Sequence, residues 1–257
     1  MTTVAVTVDV DGEAGLPDGG RGWEGRLTSR SERLYGLRRG LPRILAVLAE
    51  HEVRTTFFFP GATAQRHPGA VQDVLAAGHE LGHHGHCHLR PDLIDAAAQR
   101  AEIEQGLAAL EDTSGARPVG YRAPGWELTT TTLELLAEHR FEYDSSLMGD
   151  DRPYRLDAGL VELPVHWSLD DVPYFSPMAD GRRLLAVWRR EHELALAERR
   201  PVVFTLHPEV LGRPHRIDLM RALLDEVRSR GTRIAPLCEL ADSFDDAPAP
   251  RGAWTER

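Results

Sequence analysis

Two residue types are missing from this chain of 257 residues: it has no lysine, so all thirty basic residues are arginine, and it has no asparagine. Without lysine there is no Schiff base, no pyridoxal-phosphate aldimine and no Walker-type phosphate loop. Without asparagine, Cys-His-Asn catalysis is excluded. Cysteine is scarce, and Cys87 and Cys238 make no disulfide framework. No apolar run is long enough to span a bilayer. The formal net charge of −10 gives no basic footprint for nucleic acid or an anionic membrane. The first residues enter a strand pattern at once, with no signal-peptide pattern, so a cytoplasmic protein acting on a small molecule is expected. What remains is an ordinary globular composition, 42% hydrophobic and 27% charged, sufficient for one sizeable core.

Strand-like and helix-like stretches alternate along the chain. Residues 3–9 read as a buried strand ending in acids, and 55–60, 79–83, 119–124, 141–144, 160–167 and 201–207 as further strands, with 233–237 closing the series. Helical periodicity covers 37–53, 68–77, 93–111, 130–139, 182–199 and 216–230. A glycine-rich connection from Gly12 to about Gly36 is too long for a simple turn and is expected to serve function. Residues 1–244 are expected to form one catalytic barrel, with 245–257 a disordered tail. Seven or eight alternations imply an α/β protein with a parallel sheet or barrel. Sites in such folds lie at the carboxyl ends of the strands. There the chain places Asp9, Asp11, His84, His88, Arg122, Asp144, Trp167 and His207.

Residues 78–88, Gly-His-Glu-Leu-Gly-His-His-Gly-His-Cys-His, hold five of the twelve histidines. His84 and His88 have the i, i+4 spacing that lets two imidazoles meet one ion, while Gly82 and Gly85 argue for a loop rather than a helix. Asp9-Val-Asp11 puts two carboxylates on one side of an extended chain, where a cation or hydrogen-bond network must compensate them. One Asp and two His make a facial N and O donor set with positions left open. The other carboxylate can take a proton from a water that the ion acidifies. His207, from the opposite rim, can protonate a leaving nitrogen.

Asp-x-Asp at 9–11, the histidine run, Tyr121-Arg-Ala-Pro124 and Leu206-His-Pro208, in that order over nearly the whole chain, resemble the polysaccharide deacetylase family, carbohydrate esterase family 4. The resemblance implies a distorted seven- or eight-stranded (β/α) barrel that hydrolyses N-acetyl groups with one divalent ion. It implies Asp9 as general base, Arg122 as the partner of Asp9, and His207 as general acid. Asp11, His84 and His88 would hold the metal, with zinc foremost among zinc, cobalt, manganese, nickel and iron. His86 and Cys87 would stand off the ion. Asp170 and Asp171 are the candidates for the acid that orients His207.

Tyr143-Asp-Ser-Ser-Leu-Met148, Leu163-Pro-Val-His-Trp-Ser-Leu-Asp-Asp171 and His207-Pro-Glu-Val-Leu-Gly-Arg213 look like the cytoplasmic branch. That branch includes peptidoglycan-deacetylase-like proteins, metal-independent allantoinases and cyclic-imide hydrolases, often as homo-oligomers, so a dimer or tetramer is open. Trp126, Trp167, Tyr174 and Phe175 can line a ring-binding cleft, and Asp144 can support it. The leading expectation is an N-deacetylase of a small, soluble, sugar-like substrate. A cyclic imide or ureide hydrolase is the first rival, and a non-catalytic metal- or sugar-binding barrel the second.

Overall fold

The computed structural model describes residues 2–16, 25–174 and 181–244. The 245–257 tail and Phe175 lie outside the described residues. The strands are β1 (Thr3–Asp9), β2 (Thr56–Phe59), β3 (Glu80–His83), β4 (Gly120–Tyr121), β5 (Tyr143–Asp144), β6 (Tyr154–Arg155), β7 (Val161–Glu162), β8 (Val202–Leu206) and β9 (Arg233–Ile234). Among the described residues they form one curled sheet in the order β6-β7-β5-β4-β3-β2-β1-β8, with β9 against the start of β1. Every pairing is parallel except β6 with β7. β1 lies between β2 and β8, which is why it reads as a near-continuous apolar run rather than an alternating one. Asp170 forms a parallel bridge to Thr205 of β8, so the segment after β7 joins the two ends of the sheet. The result is the distorted (β/α) barrel that the alternation implies.

Side chains of successive strand residues go to opposite faces. Val4, Val6 and Val8 pack outward against Ile44, Leu48, Trp188, Leu223 and Leu224. Ala5 instead joins Phe58, Tyr143, Leu163, Val203 and Leu237 inside the barrel. Thr7 and Asp9 share the parity of Ala5, which directs the last acid of the strand into the barrel mouth.

The outer layer contains α1 (Leu27–Tyr35), α2 (Leu41–Glu50), α3 (Gly61–Arg66), α4 (Pro68–Ala76), α5 (Ala96–Ser114), α6 (Thr130–Glu138), α7 (Arg182–Glu198), α8 (Ile217–Ser229) and α9 (Leu237–Asp242). α1 lies within the glycine-rich connection read from Gly12 to about Gly36, where the sequence pattern assigns no helix. No residue of α1 is buried and Leu34 reaches the core only from a half-buried position, so the helix carries too little apolar surface for a periodicity argument to detect. It runs through a π-helical stretch, Gly36–Gly40, into α2. At Gly40 a Cβ would stand 2.0 Å from the Pro208 carbonyl oxygen, so glycine lets this wide turn press against the loop that carries His207. No helix among the described residues is long and apolar enough to cross a membrane.

Candidate metal and catalytic site

Asp11 lies two residues past β1 and is buried. His84 Nε2 stands 3.6 Å from its Oδ1, and His88 Nε2 stands 3.6 Å from its Oδ2. One ligand atom from each of the three lies within 4.8 Å of the other two. His84 leaves β3 with its Nδ1 held 2.7 Å from the Arg122 carbonyl oxygen. Donation from Nδ1 leaves Nε2 as the lone-pair nitrogen facing Asp11. His88 is reached through a loop bent at Gly85 (φ +71°), with His88 itself at φ +58°. Glu102 pins that loop by accepting the backbone N–H of His86, Cys87 and Leu89. The i, i+4 pair therefore meets across a turn, as the two glycines suggest.

Asp11 Oδ1 is buried and accepts no hydrogen bond among the described residues. A carboxylate oxygen left bare beside two imidazole nitrogens is costly unless a cation completes it, so the donor set fits a divalent ion. Burial opposes the Asp11 carboxylate, but His88, His207, His84 and Arg33 hold its pKa below the usual range. Burial above all lowers His88 to about 4, which keeps it in the neutral form that a metal requires.

Asp9 is also buried, and its Oδ1 accepts from Arg122 Nη1 at 2.7 Å. Arg122 is wholly buried, and its planar fork is fully directed. Nη1 also donates to Thr7 Oγ1 at 2.8 Å, Nε to the Ser145 carbonyl at 3.0 Å, and Nη2 to Ser145 Oγ at 3.0 Å. The Phe58 ring lies beneath the guanidinium, 4.3 Å from its centroid.

His207 follows β8. Its Nδ1 lies 2.8 Å from Asp171 Oδ1, and its backbone N–H donates to Asp171 Oδ2 at 2.9 Å. Asp170 stands at 3.6 Å. Of the two acids left open by the sequence, Asp171 is the one bonded to the imidazole. Burial pulls the His207 pKa down, but the charges of Asp170 and Asp171 and the Asp171 hydrogen bond raise it well above 6.5. Burial pushes Asp170 up to about 7, against the attraction of His207.

Asp144 is brought to the same end of the barrel but serves the framework. It accepts from Ser146 Oγ at 2.8 Å and lies against Glu162, which accepts the backbone N–H of Ser146 and Leu147. Burial pushes Asp144 up to about 6. It thus supports the turn that Arg122 grips. Trp126 lies 5.9 Å from the Arg122 guanidinium and stacks on Trp167, with centroids 4.7 Å apart and planes at 26°. Trp167 is 44% exposed, so the stack presents an open aromatic face beside Arg122.

Sequence reasoning missed Arg33 and Glu209. Arg33, on α1, is ion-paired with the buried Glu209 and stands 3.6 Å from Asp11 Oδ2. Arg33 had no signal, lying inside the stretch taken for a loop. Glu209 had one, as an acid two residues past a strand-end histidine.

A (β/α) barrel with an Asp-His-His cluster between an Asp–Arg and an Asp–His pair defines a hydrolase class. The profile of polysaccharide deacetylases matches residues 35–143. A Mycobacterium smegmatis protein assigned as a polysaccharide deacetylase is 37% identical, over 97% of this chain and 94% of its own, with TM-score 0.89. The peptidoglycan deacetylase of Helicobacter pylori is 29% identical over 284 residues, covering 94% of this chain and 95% of that protein. The allantoinase PuuE shares the fold at TM-score 0.84 with 20% identity, over 94% of this chain and 89% of its own. The chain belongs to the polysaccharide deacetylase family, hydrolases of N-acetyl amide bonds.

Proposed function

We propose that this chain is a metal-dependent N-deacetylase of a small, sugar-like N-acetylated substrate. The observation that carries the reading is the bare, buried Oδ1 of Asp11 between His84 and His88, flanked by one paired base and one paired acid. Asp11, His84 and His88 would hold the ion, and we assign zinc first because one carboxylate and two imidazoles suit it. When bound, the ion supplies Lewis acidity toward an amide carbonyl and toward a water.

The chain's own residues do the rest. Asp9 takes the proton of the attacking water while Arg122 fixes its orientation. His207, protonated above its ordinary pKa and aimed by Asp171 through Nδ1, gives a proton from Nε2 to the departing nitrogen. The Trp126–Trp167 stack offers a flat apolar face to a sugar ring.

A cyclic imide or ureide presents the same carbonyl to the same groups, and the fold shared with an allantoinase favours it as the second reading. A mere binding barrel would carry two buried ion pairs, Asp9–Arg122 and Asp171–His207, with no use for them. The test is a screen of N-acetylated sugars against cyclic imides, with zinc-loaded and chelated protein. Turnover of an N-acetylated sugar that chelation abolishes is expected, together with about one ion per chain by elemental analysis. Turnover of imides alone would move the assignment to the second reading. Activity indifferent to chelation would sink the metal.

A further inference from the structure

Arg33 is the cation that the reaction above leaves without a task. One corner of its guanidinium is anchored, because Nη1 contacts Glu209 Oε1. Glu209 is 8% exposed and lies two residues beyond His207, with the chain at Gly36 pressed so close that a Cβ there would stand 3.0 Å from the Glu209 nitrogen. The anchor therefore belongs to the same rigid rim as the proposed acid. The same Nη1 stands 3.6 Å from Asp11 Oδ2, beyond hydrogen-bond length. Nε and Nη2 make no hydrogen bond to the described residues, and the side chain is 30% exposed where its two acidic neighbours are 8% and 6%. A guanidinium offers five donors in a fixed fork suited to a second, two-point anion. Asp11 cannot be that anion, since it is too far and belongs to the His84–His88 cluster. With Nη1 3.6 Å from Asp11 Oδ2, the guanidinium stands beside the cluster.

We propose that Arg33 is a specificity-determining residue whose free edge binds a carboxylate carried by the substrate, next to the amide that is hydrolysed. The ligand class is an N-acylated, sugar-sized compound with an acidic substituent. Glu209 holds the guanidinium in place and offsets its charge beside the proposed ion. The proposal rests on the reading that the amide binds at the Asp11–His84–His88 cluster.

N-acetylmuramic acid and N-acetylglucosamine differ by one carboxylate-bearing ether and serve as probes. Calorimetric titration of the zinc-loaded 257-residue chain carrying Asp9→Asn, which suppresses turnover, should give at least about tenfold tighter binding of the acidic sugar, the size of one charge-assisted pair. Arg33→Gln should erase the preference between the two sugars. Arg33→Lys, which keeps charge without the fork, should keep part of it, and it reads the role should Arg33→Gln fail to fold. In the zinc-loaded enzyme Arg33→Gln should raise KM for the acidic sugar about tenfold more than KM for the neutral one. Equal binding of both sugars while Arg33 is intact, or equal weakening of both by Arg33→Gln, overturns the proposal. Selective binding without hydrolysis of either sugar supports Arg33 and counts against the deacetylase reading.

Discussion

Asp171→Asn is the sharpest perturbation of the proposed acid. Asp171 is wholly buried, its Oδ1 lies 2.8 Å from His207 Nδ1, and the amide keeps its shape while removing one charge. Two unit charges about 4 Å apart at an effective dielectric of about 20 interact by about 4 kcal/mol, or roughly 3 pKa units. Asp170 remains at 3.6 Å and still raises the imidazole, so the His207 pKa should fall without losing all of its elevation. His207 must be protonated to serve the leaving nitrogen, so its raised pKa sets the basic limb of the kcat/KM profile. In Asp171→Asn that limb should move down while the acid limb stays. Stability follows the same sign. A histidine raised above 6.5 on folding contributes stability that is whole below that pH and fades as pH rises through its folded pKa, and the variant should lose this component. The assay pairs the pH profile with NMR titration of the His207 ring, assigned by its loss in His207→Gln. An unmoved ring pKa in Asp171→Asn would refute the assignment of the orienting acid.

Asp9 and Asp11 should separate by phenotype: Asp9→Asn should keep the ion and lose most turnover, whereas Asp11→Asn, His84→Ala and His88→Ala should lose the ion first. Elemental analysis with activity decides, and the reverse pattern for the two aspartates would overturn the roles. Arg122→Ala strands the buried Asp9 carboxylate and frees the Ser145 acceptors, so it should destabilise by about 3–5 kcal/mol in chemical denaturation. A loss below about 1 kcal/mol would mean that water replaces the guanidinium.

The parts legible in the sequence are those whose signal is local. β1 announces itself as an apolar run ending in Asp9-Val-Asp11, and the histidine run with Gly82 and Gly85 marks a ligand-bearing loop after a strand. The strand–helix alternation implies the barrel, and the barrel collects Asp9, Asp11, His84, His88, Arg122 and His207 at one end. What stayed hidden depends on partners far apart in sequence. α1 buries none of its residues, so no periodicity exposes it, and with it went Arg33. Glu209 had a local signal beside His207, but its pairing with Arg33, 176 positions away, shows only in the fold. Asp170 and Asp171 are equivalent by type and differ only in which side chain reaches His207.

That last difference follows from how the sheet closes. Asp170 pairs with Thr205 as a one-residue continuation of the sheet, and the Asp171 N–H donates to the Thr205 carbonyl at 3.1 Å. The Asp171 carboxylate then meets both the backbone N–H and the Nδ1 of His207, two residues further along the same strand line. The contact that joins the ends of the barrel is therefore also the contact that aims the proposed acid. A seam made of one bridge and one carboxylate is weaker than a full ladder. In return it leaves the 165–169 segment free to bring Trp167 over Trp126, and leaves His207 Nδ1 committed to Asp171 so that Nε2 alone is available to substrate. The distortion of the barrel thus bears on the site's geometry, because a complete strand along β8 would take into its own ladder the His207 backbone N–H that the Asp171 carboxylate now accepts.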